Sequence, residues 1–442
     1  MSEWAYRRIR DLLNTSYAGE WGDPPSPGNA RVLRATDIDS DGRINGQGAL
    51  RQISPAAVQT KRLQHGDIML EASGGSPEKP VGRVAFFAAQ HSDGPFLTSN
   101  FYKTLRPAGD VDPRFLHWAL LRFYRQPDIL QYQQQTTGII NLKFQDYLDA
   151  KVRSPVARNE QNLIADILDT LDTQIQKTEA LIAKLEKLKE GLLHDLLTRG
   201  IDENGQLRPS PEQAPELYKE SPLGLLPKDW SINNVASIGQ VKGGKRLPYG
   251  HGYSSQETCF RYLRVTDFYG KPYCAGRLEP LDEATFNILS RYEIQPGDAF
   301  VSIAGSIGYF GVHSPVDAES YRVILTENAA RIVLNSSIHP DYFALAMNSE
   351  TSQKQVEAEK GTGGGVPKLA LFRVEQILIP TPDYGEQQEI VKRAKSFSIR
   401  IANERLKLDK MKAQKQGLMD DLLTGRVRVT PLLEKAQATT PA

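Results

Sequence analysis

Apolar side chains recur at alternating steps of four and three through residues 160–200: Ile164, Leu168, Leu171, Ile175, Ile182, Leu185, Leu192 and Leu196. Thr178 and Lys189 fill the two remaining steps. The same stepping returns in residues 386–426 with Ile390, Ala394, Phe397, Ile401, Leu408, Met411, Leu418 and Leu422, and with Glu404 and Lys415 at its polar steps. An apolar seam held over about four to five heptads predicts a long coiled-coil helix in each place. At 1.5 Å per residue, about 38 residues make a rod of roughly 57 Å, longer than a domain of ~150 residues is wide. Most of such a seam would face water unless another helix covers it. The expected partner is the other copy, in an antiparallel pair with one globular domain at each end, a pseudo-twofold dumbbell. Polar residues at matching seam steps would then fix the register.

The two segments are copies of each other. Glu160-Gln161 matches Glu386-Gln387, Gly191-Leu192 matches Gly417-Leu418, and Asp195–Thr198 matches Asp421–Thr424, all at an offset of 226 without a gap. The offset persists with small slips elsewhere. Trp4 answers Trp230, and Leu33–Asp37 answers Leu263–Asp267. Gly66-Asp67 answers Gly297-Asp298, Leu97–Asn100 answers Leu325–Asn328, and Thr137-Gly138 answers Thr362-Gly363. Slips of a few residues are what surface-loop insertions produce. In each half, short β-rich runs punctuated by Gly, Pro and Asp predict a compact mixed α/β domain, interrupted by a helical piece near 113–125 or 340–349.

The expected organisation is α+β: a first mixed domain at 1–157, a long helix at 158–199, a polar, proline-rich linker at 200–221, a second domain at 222–383, a second long helix at 384–425 and a tail at 426–442, in which 430–442 are expected to be loosely ordered. Dividing 442 residues by ~150 would suggest three domains. The repeat replaces that count with two halves of about 221.

Composition changes this picture little. Hydrophobic residues at 40% and charged residues at 24% describe an ordinary globular chain and exclude collagen-like or extended disordered classes. No apolar run approaches the ~18 residues a bilayer span needs. The first residues lack the apolar core of a secretory signal, and two cysteines, Cys259 and Cys274, predict neither a disulfide framework nor a zinc site, so the expected location is cytoplasmic. A net charge of +1 leaves room for one local basic face.

Catalytic constellations are near misses. Gly239–Arg246 fits the first seven positions of a P-loop, but Arg246 stands where Ser or Thr should bind magnesium. Asp23-Pro24-Pro25-Ser26 lacks the stacking aromatic of the DPPY tetrad with which amino-methyltransferases hold a flipped adenine. His65, His91, His251 and His313 are scattered and are expected to be structural or exposed. Neither a catalytic site nor a metal site is expected on this chain.

Taken together, these residues resemble the DNA-specificity subunit of a type I restriction-modification system. The resemblance covers the whole length and rests on the duplicated domains, the Glu-Gln starts of both helices and the endings Gly191–Thr198 and Gly417–Gly425. The run Ser221–Trp230 that opens the second domain also resembles the family. Two departures are the near absence of chain before Trp4 and an acidic, proline-rich stretch at 19–28 where the second copy has basic residues. The resemblance implies two target-recognition domains that each read one half of a bipartite double-stranded DNA site. It implies helices that set the spacer and dock two modification subunits, with restriction subunits as further partners. S-adenosylmethionine, ATP and magnesium would belong to those partner subunits, and this chain would hold no cofactor. Alternative readings are a specificity subunit of a phage-defence modification system without restriction subunits, a helical scaffold that touches no DNA, and a self-contained methyltransferase, against which the incomplete tetrad weighs.

For DNA, phosphate affinity calls for Lys, Arg and backbone N–H groups, and specificity for side chains on base edges. Candidates are Lys242, Lys245 and Arg246, followed by Tyr249, His251 and Tyr253 in a Gly-rich loop. Thr362, Gly363 and Lys368 precede an expected helix whose N–H groups suit a phosphate, and Lys143 holds a similar place in the first copy. Gln133–Gln135 read either as adenine readers or as an exposed helix end. Arg34 and Arg264, three residues before Asp37 and Asp267, read either as DNA contacts or as an Arg–Asp pair bracing a strand end.

Overall fold

A computed structural model describes residues 3–88, 94–136, 138–268, 274–361 and 367–439. The chain forms two compact units, residues 1–180 with 405–442 and residues 181–404. Each contains one mixed α/β domain, half of one long helix and half of the other.

The domains repeat each other strand by strand. In the first, Leu13–Ala18, Tyr102–Pro107, Ile68–Glu71 and Val84–Phe86 form an antiparallel four-stranded sheet in that order. In the second, Gly239–Gly243, Ala329–Leu334, Ala299–Ser302 and Phe310–Val312 do the same. A parallel pair follows in both: Ala30–Leu33 with Phe96–Thr98, and Phe260–Leu263 with Arg322–Leu325. Each domain is closed by an antiparallel ribbon joining its first strand to its last, Trp4–Arg8 to Lys151–Pro155 and Ser231–Asn234 to Leu378–Thr381.

The helical pieces are Pro113–Tyr124 and Pro340–Met347. Each starts with Pro in its first turn, where the missing N–H costs nothing. They bury matching residues: Phe115, Leu116, Ala119 and Leu120 against Tyr342, Phe343, Ala346 and Met347.

The long helices run Arg158–Thr198 and Tyr384–Leu422. Ile164, Leu168, Ile175, Ile182, Leu185 and Leu196 of the first and Ile390, Ala394, Ile401 and Leu422 of the second are buried, as a seam requires. In the first unit Asp172 meets Lys415 at 2.5 Å and Glu179 meets Lys412 at 2.8 Å, a pairing in which one helix ascends as the other descends. Lys415, a polar seam step, is therefore buried as half of an ion pair. Hydrogen bonds from Arg43 and Lys415 outweigh the cost of burial and hold the Asp172 carboxyl down at about 2. The matching position in the second half is Ser398.

Two segments differ from expectation. Residues 200–221 are not a free linker: Ile201, Arg208, Ala214 and Tyr218 are all buried in the second unit. The tail is also anchored. Val429 is buried, Arg428 binds Glu160, and Thr430–Thr439 is helical. Polarity in the first and the lack of a periodic pattern in the second suggested loose chain, but each segment, 200–221 and the 426–442 tail, places an arginine on a buried carboxylate, which no local pattern announces.

Candidate nucleic-acid interface

Each long helix opens with Glu-Gln, and the structure shows what this dipeptide does. Glu160 Oε1 accepts from the Trp4 indole at 3.2 Å, and Glu386 Oε2 accepts from Trp230 at 3.0 Å. An arginine just beyond the end of the other long helix completes each carboxylate. Arg428 Nε reaches Glu160 at 2.9 Å, and the Arg208 guanidinium binds both Glu386 oxygens, at 2.5 and 3.1 Å. A glycine beside each tryptophan makes this approach possible: Gly200 and Gly425 have φ of +68° and +67°, and a Cβ there would lie 2.5 and 2.9 Å from the indole. The glutamines cap the helical pieces, Gln161 Oε1 accepting from the Asp112 N–H and Gln387 Oε1 from the His339 N–H, both at 2.8 Å. The spacing from Trp to Glu is 156 residues in both copies, a signal present in the sequence that could have paired them.

On this frame the two domains expose different loops at one equivalent place. Gly19 crosses Thr98 and Ser99 so closely that a Cβ would lie 2.1 Å from the Ser99 carbonyl oxygen, and Gly244 crosses Leu325 and Thr326 with a corresponding 2.0 Å to the Thr326 oxygen. The next residue is tied in both, the Glu20 N–H to Thr98 O at 2.8 Å and the Lys245 N–H to Leu325 O at 2.9 Å. Beyond that point chemistry diverges. In the first copy Glu20 pairs with Lys61, and Trp21 lies under the Arg51 guanidinium at 4.5 Å. In the second, Lys242, Lys245 and Arg246 are exposed, and Tyr249 stands fully in solvent. Arg246 touches Glu327 at 2.7 Å with its side chain 80% exposed, a surface pair that competes weakly with an incoming anion.

Arg264 joins this face. Its guanidinium lies 5.5 Å from the Tyr253 ring centre and binds Asp267 and Glu279, each at 2.8 Å. Arg34 makes the matching bond to Asp37 at 3.0 Å. Burial opposes the Asp37 charge, but the side-chain and backbone bonds from Arg34 hold that carboxyl below its ordinary value. Both pairs brace a turn directly after a strand while the guanidinium stays part exposed. Asp67 with Arg106 at 2.8 Å and Asp298 with Arg331 at 2.5 Å are a second duplicated brace.

Lys368 is exposed and bridges in strand fashion to Ala304 and Gly361. Leu371 beyond it lies 3.6 Å from a Cβ built on Gly243, which brings this segment beside the basic loop. Thr362 and Gly363 lie outside the described residues, as do His91 and Thr137. Lys143 is exposed and donates to Gln131 O at 3.3 Å. Gln133–Thr136 is a strand, not a helix end, and Gln133 is committed: its amide exchanges bonds with the Val81 backbone at 2.9 and 3.0 Å. Gln134 and Gln135 remain exposed. Of the other histidines, His251 bonds Thr285 at 2.7 Å, His313 is buried, and His65 packs edge-on against Phe86.

Both cysteines are free thiols. Among the described residues no cluster of three His, Cys, Asp or Glu side chains is placed to hold a metal, and no helix is long and apolar enough to cross a membrane.

Comparison with known proteins agrees with this geometry. The family model described as type I restriction modification DNA specificity domain matches residues 1–187 and again 227–413. The putative type I restriction enzyme MjaX specificity subunit of Methanocaldococcus jannaschii is 24% identical over 440 residues, covering 97% of this chain and 94% of its own. The EcoBI specificity subunit of Escherichia coli is 23% identical over 314 residues, 63% of this chain and 62% of its own. The crystal structure of the type I restriction-modification S subunit from M. genitalium superposes with a TM-score of 0.56 at 16% identity, covering 96% of each chain. The chain belongs to the type I restriction-modification DNA specificity family and carries two copies of its specificity domain.

Proposed function

We propose that this chain is the DNA-recognition subunit of a type I restriction-modification complex, that each domain reads one half of a bipartite, asymmetric target, and that the paired helices set the distance between halves. The observation that carries this reading is one backbone frame with two unlike loops at the same crossing: Glu20-Trp21 in the first copy and Lys245-Arg246 in the second. Equal frames serve equal docking onto a duplex, and unlike loops serve unlike base sequences. Lys242, Lys245, Arg246, Tyr249, Lys368 and Arg264 form the proposed contact face of the second domain. Thr362 and Gly363 are assigned to it from sequence. Lys143 and Arg34 are their proposed counterparts in the first. In this role the chain performs no chemistry. Two modification subunits would bring S-adenosylmethionine and methylate adenine, and restriction subunits would bring ATP- and magnesium-dependent cleavage.

Selection of bound duplexes from a random pool by the assembled complex tests this. Two enriched blocks at fixed spacing are expected. Lys245→Ala with Arg246→Ala should weaken binding across all sequences and lower the log–log salt slope by about one to two. An unchanged slope removes the loop from the interface, and a single contiguous block removes the bipartite reading.

A further inference from the structure

In the first unit a cavity of about 460 Å³ opens beside the helix seam, and its lining side chains include Arg43, Arg125, Lys412 and Lys415 against one carboxylate, Asp41. Three of the cations are held in place by Asp172 and Glu179, which do not line the cavity. Arg43 reaches Asp172 at 2.9 Å and Glu179 at 2.8 Å, Lys412 reaches Glu179 at 2.8 Å, and Lys415 reaches Asp172 at 2.5 Å. Arg125 reaches Asp41 at 2.7 Å.

These bonds leave most of the donors unspent. A guanidinium carries five N–H groups and an ammonium three. The Arg43 Nε is buried with no hydrogen-bond partner. Four cations face three carboxylates, so one positive charge is uncompensated even with every pair formed.

Helix pairing as such does not demand this set. The positions matching Arg125, Lys412, Gln416 and Asp172 in the second half are Ser352, Glu186, Glu190 and Ser398. Lys415 keeps its residue type in the repeat as Lys189, but among the described residues the second unit does not repeat the cluster.

We propose that this cavity is a phosphate site, taking one phosphate group on the N–H donors of Arg43, Arg125, Lys412 and Lys415. A tetrahedral oxyanion matches several convergent donors better than a carboxylate does, and arginine forks bind it in bidentate fashion. The phosphate is either part of a duplex backbone or part of a free phosphorylated small molecule, and the chemistry of recognition is the same for both.

The test uses the full chain, with Arg125→Gln, Lys412→Gln and the double variant. Calorimetric titration with inorganic phosphate should show saturable one-to-one binding to the unaltered chain, weakened about tenfold for each donor group removed. Binding of a mixed-sequence duplex is then measured against salt. A log–log slope reduced by about 0.9 in the double variant identifies a backbone phosphate as the source. A slope unchanged while phosphate binding is lost identifies a free phosphorylated molecule. Urea unfolding checks the fold. If the double variant is destabilised, Lys412→Gln alone makes the comparison, since that side chain is about half exposed. No saturable phosphate binding, or equal binding by the unaltered and substituted chains, overturns the proposal. The phosphate titration does not depend on the DNA reading, so the two fail separately.

Discussion

Where the first domain places Trp118 on its short helix, the second places Leu345, and the difference propagates across the contact with the long helices. Trp118 is buried, donates to Asp169 at 2.8 Å and carries the Lys415 ammonium 4.5 Å above its ring. Arg122, one turn on, reaches Asp420 at 2.9 Å. In the second unit the matching residues are Leu345, Lys395, Ser349 and His194, and a groove of about 930 Å³ remains along them. One ion pair persists with its charges exchanged: Arg114 with Asp169 at 3.2 Å becomes Asp341 with Lys395 at 2.7 Å. The two copies keep the path of the chain and exchange side-chain volume and charge. A backbone frame is thus separable from what fills it, which is what a subunit needs if its halves are to recognise different things.

The largest expected effect tests the filled contact against the open one. Trp118→Ala should cost about 3–5 kcal/mol in urea unfolding, as large aromatic truncations in packed sites do. Leu345→Ala, on the rim of an open groove, should cost far less, and Leu345→Trp should be accommodated within about 1 kcal/mol. Equal costs at positions 118 and 345 would mean that the groove is already packed and the comparison fails.

The two buried glutamates give the next contrast. Glu386→Ala leaves Arg208, whose side chain is only 11% exposed, with Asp229 at 2.8 Å as its one remaining carboxylate, and should cost about 2–4 kcal/mol. Glu160→Ala removes the carboxylate that Arg428 binds, but that side chain is 30% exposed and can turn to water, so the change should cost about 1–3 kcal/mol. A larger loss at Glu160 would mean that the exposure of the arginine partner does not set the cost.

The pH effect of His117 belongs to the first copy, where it answers to Ala344, and it adds to the downward shifts that burial gives His313 and His339 in the second. Burial, with help from Lys415, pushes the His117 imidazole down to about 3. The folded chain keeps it neutral while the unfolded chain takes a proton near pH 6.5. Its contribution is therefore fully present above about pH 6.5 and is lost as pH falls towards 3, by up to about 1.4 kcal/mol per pH unit. His117→Phe should flatten that slope in a urea midpoint measured against pH. An unchanged slope would show that another group carries it.

Much of this was legible in sequence because it is periodic or repeated. The seam from Ile164 to Leu196, the 226-residue offset and the Arg34–Asp37 and Arg264–Asp267 pairs all follow from spacing. What spacing cannot show is a partner distant in the chain. Arg208 and Arg428 sit in polar, aperiodic segments, and only folding sets them on Glu386 and Glu160. Gln133 gave no sign that its amide would be spent on the Val81 backbone. Lys415 was visible as a seam exception, but its burial depends on Asp172 and Trp118, which no heptad rule brings together. The basic loop was found by composition, and its equivalence to the acidic Gly19 loop became evident from the shared backbone crossing.

The central claim is that two unlike domains on one frame read two halves of one DNA site. Mapping methylated adenines across the host genome, with and without this gene, tests it most directly. The account predicts loss of methylation at one asymmetric motif, two defined blocks separated by a gap of fixed length and free sequence. Unchanged methylation, or loss at a single contiguous motif, would contradict it.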